Sequence, residues 1–96
     1  MTDISAAPAE SFDPSRPYVV HPQLALRYER FGALAYHYGN RRLVFLKSRL
    51  MVELVTVLGD YPSAAEAIAT VVPEVQRRAY ERALARLAVS EVIDAR

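Results

Sequence analysis

Ala33-Leu-Ala-Tyr-His-Tyr-Gly-Asn-Arg-Arg-Leu-Val-Phe-Leu46 is two runs of strand-forming residues joined by Gly39-Asn40. Aromatic and branched side chains suit a pleated, half-buried surface. Gly-Asn is a hairpin signal, because both residues tolerate a positive φ. A two-residue loop pairs Tyr38 with Arg41, Tyr36 with Leu43 and Leu34 with Phe45 on one face. Ala35 with Val44, His37 with Arg42 and Ala33 with Leu46 then share the other face. The first set carries the larger apolar groups and is expected to meet the core. His37 is then expected on the outer surface of the sheet, beside Arg42. A slip of one residue would exchange the faces, so the register is firm.

Working outward, Leu24, Leu26 and Tyr28 alternate with Ala25, Arg27 and Glu29, which predicts a half-buried strand. Arg30-Phe31-Gly32 turns the chain into the hairpin. After Leu46 the period becomes helical at Leu50, Leu54, Val57 and Leu58, with Ser48 as N-cap and Gly59 as the stop. Ser63 and Glu66 have capping-box spacing and open a second helix that runs through Ile68 towards Val71. Pro73 ends it and starts a third helix over 73–89. Tyr80, Ala83, Leu84 and Leu87 fall on the inward face of that helix. The order predicts an α+β fold, with a three-stranded antiparallel sheet followed by three helices. Pro17 and Pro22 bracket Tyr18-Val-Val20, a short extended piece. Residues 90–96 are expected to form a tail.

The chain of 96 residues is 52% hydrophobic and 24% charged, with a formal net charge of +1. This composition fits one globular domain. The absence of cysteine excludes disulfides, thiolate metal sites and cysteine nucleophiles. Residues 1–16 are small, polar and acidic without periodicity and are expected to be a disordered tail, leaving 17–96 as the domain. They lack the basic start and apolar run of a signal peptide, and no apolar stretch approaches the length of a membrane span. A cytoplasmic protein is expected.

Catalytic constellations are nearly absent from the sequence. His21 and His37 are the only histidines, the acids are scattered, and no phosphate loop, zincin spacing or nucleophile elbow occurs. No catalytic residue, metal site or cofactor is expected. Two features invite binding. Arg78, Arg82 and Arg86 recur every four residues as a stripe, with Glu74 four residues before Arg78. This is either a solvated helix face or a rim for an acidic ligand. The strand 41–46 lies at the edge of a meander, where unpaired N–H and C=O groups can accept a peptide strand or be covered by a second copy. A DNA-binding helix-turn-helix would use Gln76, Arg77 and Arg78. The net charge is low for phosphate binding, and the few residues after Val89 leave no room for a wing hairpin. A structural subunit that dimerises through the open edge is the other alternative.

The run Phe31-Gly-Ala-Leu-Ala-Tyr-His-Tyr-Gly-Asn-Arg-Arg-Leu-Val-Phe-Leu-Lys-Ser48 resembles the signature of the MftB family of mycofactocin peptide chaperones. Leu26-Arg-Tyr-Glu29 and Arg82-Ala-Leu-Ala-Arg-Leu87 fit the same family. The resemblance covers Pro17 to the C-terminus and places the chain among PqqD-like recognition domains for ribosomally made precursor peptides. It implies a winged-helix-like fold with the element order read above. It also implies a non-catalytic carrier that binds the leader of a mycofactocin precursor (MftA-like) and presents it to a radical SAM enzyme (MftC-like). That enzyme, not the carrier, would hold the iron–sulfur cluster. In such domains the leader adds as an antiparallel strand to the third strand, in a groove walled by the third helix. Carried onto this sequence, the groove is Arg42, Leu43, Val44, Phe45 and Leu46 against Val75, Arg78, Ala79 and Arg82. Nucleic acid and membrane partners are not expected.

Overall fold

The hairpin that decides the fold forms with the expected register and a different turn. The computed structural model describes residues 12–96, so residues 1–11 of the expected tail lie outside the described residues. Strands run over Tyr18–Val20 (β1), Leu24–Tyr28 (β2), Ala33–His37 (β3), Leu43–Leu46 (β4) and Ile93–Ala95 (β5). Helices run over Arg49–Val57 (α1), Ala64–Val71 (α2) and Arg77–Val89 (α3). The architecture is α+β, with a three-stranded antiparallel sheet in the order β2-β3-β4, a two-stranded sheet β1-β5 and three helices.

In the hairpin, Leu34 pairs with Phe45, Ala35 with Val44 and Tyr36 with Leu43. Tyr38 and Arg41, expected as a pair, instead belong to a four-residue connection. Arg41 N–H donates to His37 O at 2.8 Å, and His37 N–H donates to Arg42 O at 3.0 Å. The left-handed conformation falls on Arg41, with φ 64°, and no glycine adopts it. Side chains compensate for this choice. Asn40 Oδ1 accepts Arg42 N–H at 2.8 Å, and His37 Nδ1 accepts the N–H groups of Gly39 and Asn40 at 3.0 and 3.1 Å.

The faces are the reverse of the sequence expectation. Ala33, Ala35, His37 and Leu46 point into the core, while Tyr36, Tyr38, Leu43 and Phe45 are exposed. The small side chains let neighbouring elements approach the middle of the sheet closely. Leu54, Val55, Leu58 and Leu84, all fully buried, fill the space that larger strand residues would have taken. His37 is accordingly only 3% exposed and is not the surface histidine expected.

The two N-cap signals hold, while the first helix ends at Val57 and Gly59, expected as its stop, lies in a 3-10 turn over Leu58–Asp60. Ser48 Oγ accepts Met51 N–H at 3.0 Å, and Ser63 Oγ accepts Glu66 N–H at 3.1 Å. Each satisfies one of the free amides of a first turn. After Pro73 a 3-10 turn over Glu74–Gln76 delays the third helix, which begins at Arg77 rather than at the proline. Leu84 and Leu87 are buried and Tyr80 and Ala83 half-buried, as the helical phase predicts.

The two ends of the described chain pair with each other. Glu91 turns the backbone with φ 65°, and the segment expected as a tail then forms β5 against β1, with Tyr18 opposite Ala95 and Val20 opposite Ile93. Tyr18, Val92 and Ile93 are buried, and the Phe12 ring lies 4.9 Å from that of Tyr18. Among the described residues, no helix is long and apolar enough to cross a membrane.

Candidate functional site

Among the described residues β4 is an edge strand, with β3 on one side and no strand on the other. The phase of its backbone follows from the hydrogen bond of His37 N–H to Arg42 O. In an antiparallel ladder the bonded pairs alternate, so Val44 and Leu46 bond to β3. Leu43 and Phe45 therefore turn their N–H and C=O groups to the open edge.

Beside this edge lies a groove of about 430 Å³ between β4 and α3. Val44, Phe45, Leu46, Lys47 and Ser48 line it on the strand side, Met51 lines it from α1, and Ala79, Tyr80, Ala83, Arg86, Leu87 and Ser90 line it from the side of α3. The lining is mostly apolar. A 2.9 Å hydrogen bond between the Ser48 and Tyr80 hydroxyls joins the start of α1 to α3 and fixes their spacing. The two cations at the groove are Lys47 and Arg86. Such a shape can hold an extended chain. The strand edge offers unpaired backbone groups, the groove takes apolar side chains, and the two cations face carboxylates.

Of the residues carried over by resemblance, Val44, Phe45, Leu46 and Ala79 line the groove. Leu43 is on the same strand, with its backbone on the open edge and its side chain on the outer face of the sheet. Arg42 lies just before β4 and is exposed. Val75, Arg78 and Arg82 are outside the lining; Val75 lies in the 3-10 turn and is 93% exposed. Among the described residues, Arg78, Arg82 and Arg86 make no ion pair. Arg86 joins the groove because it lies in the same helical phase as Ala79, Tyr80, Ala83, Leu87 and Ser90. That phase was legible as the core face of the helix. Its continuation beyond the core as a groove wall was not.

His21, His37 and Glu91 offer three ligand atoms within 4.8 Å of one another, a spacing that a metal could use. Their hydrogen bonds argue against it. His37 Nδ1 accepts two backbone N–H groups, and His21 Nδ1 accepts Gln23 N–H at 3.1 Å. A neutral imidazole that accepts at Nδ1 carries its proton on Nε2, so neither ring has a lone pair left for a cation. His37 Nε2 is buried without a hydrogen bond, 3.5 Å from Glu91 Oε1, which also receives Asn40 Nδ2 at 3.3 Å. The trio therefore ties the β3–β4 hairpin to the segment after α3.

Arg77, a base-reading candidate in the helix-turn-helix alternative, is engaged elsewhere. Its Nε donates to Val72 O at 2.8 Å and its Nη2 to Ala69 O at 2.9 Å, which satisfies carbonyls at the end of α2.

The frame is thus a small α+β domain in which, among the described residues, the β4 edge lies open beside a helix-walled apolar groove. The model of the Peptide chaperone MftB family matches residues 17–94, and the chain belongs to that family. It is similar to the protein named Peptide chaperone MftB in three mycobacteria. Identity is 49% over 61 residues with that of Mycobacterium tuberculosis (strain ATCC 25618 / H37Rv), covering 64% of this chain and 56% of the relative. It is 44% over 84 residues with that of Mycolicibacterium smegmatis (strain ATCC 700084 / mc(2)155), covering 86% and 82%. It is 42% over 90 residues with that of Mycobacterium ulcerans (strain Agy99), covering 93% and 83%. The aligned stretch thus spans little more than half of the Mycobacterium tuberculosis relative. No solved structure matches the chain at a significant level.

Proposed function

We propose that this chain is a non-catalytic carrier that binds the leader of a mycofactocin precursor peptide and presents it to a radical SAM enzyme. The observation that carries the reading is the backbone of Leu43 and Phe45, unpaired among the described residues, on an edge strand that borders an apolar groove. A leader adding there as an antiparallel strand would gain main-chain hydrogen bonds from the edge and place alternate side chains against α3. Membership of a peptide chaperone family supports a peptide as the ligand. Both histidines use Nδ1 as a hydrogen-bond acceptor within the fold, a structural task that favours a binding role for the chain.

Calorimetric titration with the synthetic leader is expected to give saturable one-to-one binding, and titration with duplex DNA none. Salt-sensitive DNA binding without any response to the peptide would reverse the assignment.

The groove also ranks the arginine stripe. Arg86→Glu is expected to weaken binding of a leader that carries carboxylates by roughly tenfold, the cost of losing a charge-assisted contact of about 1.5 kcal/mol. Arg78→Glu, outside the lining, is expected to change it by less than about threefold at physiological salt. Equal effects of the two reversals would make the stripe a general electrostatic field rather than a contact.

A further inference from the structure

The side of the sheet that faces away from the core meets the peptide groove only at Phe45, yet it is apolar. Tyr36, Tyr38, Leu43 and Phe45 stand on it, with Phe31 at the β2–β3 turn; Phe31 is 69% and Leu43 63% exposed. The Tyr36 and Tyr38 rings meet edge to face with centroids 6.0 Å apart, so part of this surface is a preformed aromatic platform. A contiguous exposed patch of this kind marks an interaction site. Aromatic side chains are also the residues that most often anchor protein interfaces.

The charges around the patch identify its occupant. Two cations, Arg27 and Arg30, stand beside it, against one acid, Glu29. Glu29 is already paired with Arg27 at 3.2 Å. Arg27 and Arg30 line the same shallow basin as Phe31, Leu34 and Phe45. The patch thus has an apolar centre and, at this basin, a net positive border on which Arg30 is left without an acid among the described residues. A second copy of this chain would bring the same cations to that border, which opposes pairing of like with like. A folded partner with an apolar patch bordered by carboxylates would match it.

We infer that the outer face of the sheet is a second docking surface, for a folded protein with an acid-rimmed apolar patch, and that it is engaged while a peptide lies in the groove. The two surfaces lie on opposite sides of the sheet, and Phe45 alone among these residues borders both. A carrier needs such an arrangement, because delivery requires holding peptide and enzyme together. The inference rests on the carrier reading only in naming the radical SAM enzyme as the occupant to test.

The test uses the full chain, the synthetic leader and the purified enzyme, with each binding measured separately. Phe31→Glu/Tyr36→Glu is expected to keep leader affinity within about twofold and to weaken enzyme binding by roughly tenfold or more, as the loss of aromatic anchors does at other interfaces. Arg30→Glu, an exposed change that leaves the apolar surface intact, is expected to weaken it in the same direction. Unchanged enzyme affinity in a folded Phe31→Glu/Tyr36→Glu or Arg30→Glu variant overturns the inference. So does a wild-type chain that binds no enzyme, or one that sediments as a dimer dispersed by Phe31→Glu/Tyr36→Glu. A wild-type chain that binds the enzyme but not the leader would instead sink the carrier reading and leave the docking surface standing.

Discussion

Leu43→Pro is expected to fold and to lose most of its affinity for the leader, whereas Val44→Pro is expected not to fold stably. The two positions are neighbours on one strand with the same kind of side chain, and they differ in where the backbone points. The Leu43 N–H faces the open edge, so a proline there removes no bond among the described residues. It removes the donor that an added strand would use, and its ring occupies the space through which that strand approaches. A lost backbone hydrogen bond of about 1 kcal/mol together with a steric clash corresponds to roughly tenfold or more in affinity. The Val44 N–H belongs to the ladder with β3. Proline there breaks the pairing at the centre of the hairpin, and its cost is read as a fall in the urea midpoint. Calorimetry on the folded Leu43 variant decides the matter. Unaltered binding would show that the leader does not add to this edge, whatever else the groove holds.

The contrast between Leu43 and Val44 was not available from the sequence, although the register was. Alternation around Gly39-Asn40 aligned Leu34 with Phe45 and Tyr36 with Leu43, as observed. It left open which residue's N–H faces outward, because that depends on the loop. The observed loop closes on His37 and Arg42 with Arg41 in the left-handed region, stabilised by His37 Nδ1 and Asn40 Oδ1. Nothing local marks Arg41 for that conformation.

The face of the sheet was misjudged for a related reason. Total apolar bulk favoured Tyr36, Leu43 and Phe45, but the core prefers Ala33 and Ala35 because their small side chains allow close packing. Bulk left outside is itself informative, since a sheet with its large apolar groups in water has a use for them. Ser48 and Ser63 were legible because a cap is a local event. The β1–β5 pairing was not, since it joins two three-residue strands from opposite ends of the chain and neither is long enough to show a period. The groove was half legible. Its strand and Ala79 were placed, while its far wall needed the helix phase of Tyr80, Ala83 and Arg86 relative to β4.

Gly32→Ala is expected to be the most destabilising single methyl addition in the protein. A Cβ at Gly32 would lie 1.8 Å from Leu46 O, 3.0 Å from Leu46 C and 3.2 Å from Ser48 N. All three are backbone atoms, so no rotamer change relieves the clash. Movement is opposed from each side. Gly32 and Glu29 exchange backbone hydrogen bonds at 2.8 and 3.4 Å that close the β2–β3 turn. Leu46 is paired with Ala33 and buried, and Ser48 caps α1 while bonded to Tyr80. Separating them pulls β4 away from β3 and displaces the start of α1, and both border the groove. A loss of roughly 3–5 kcal/mol is expected, in the range of strained core substitutions. A domain of this size has about 5–15 kcal/mol in total, so the variant would be largely unfolded on warming and poor at binding. Gly59→Ala is the control. Its Cβ would meet only the side chain of Val19, at 3.0 Å, which a small shift accommodates. Its cost is expected to stay below about 1 kcal/mol. Urea denaturation of the two variants beside the wild type measures the difference. A Gly32→Ala protein within about 1 kcal/mol of wild type would mean that the β2–β3 turn and the end of β4 can separate freely. The groove wall that β4 provides would then be movable rather than fixed, and the selective effect expected of Leu43→Pro would shrink with it.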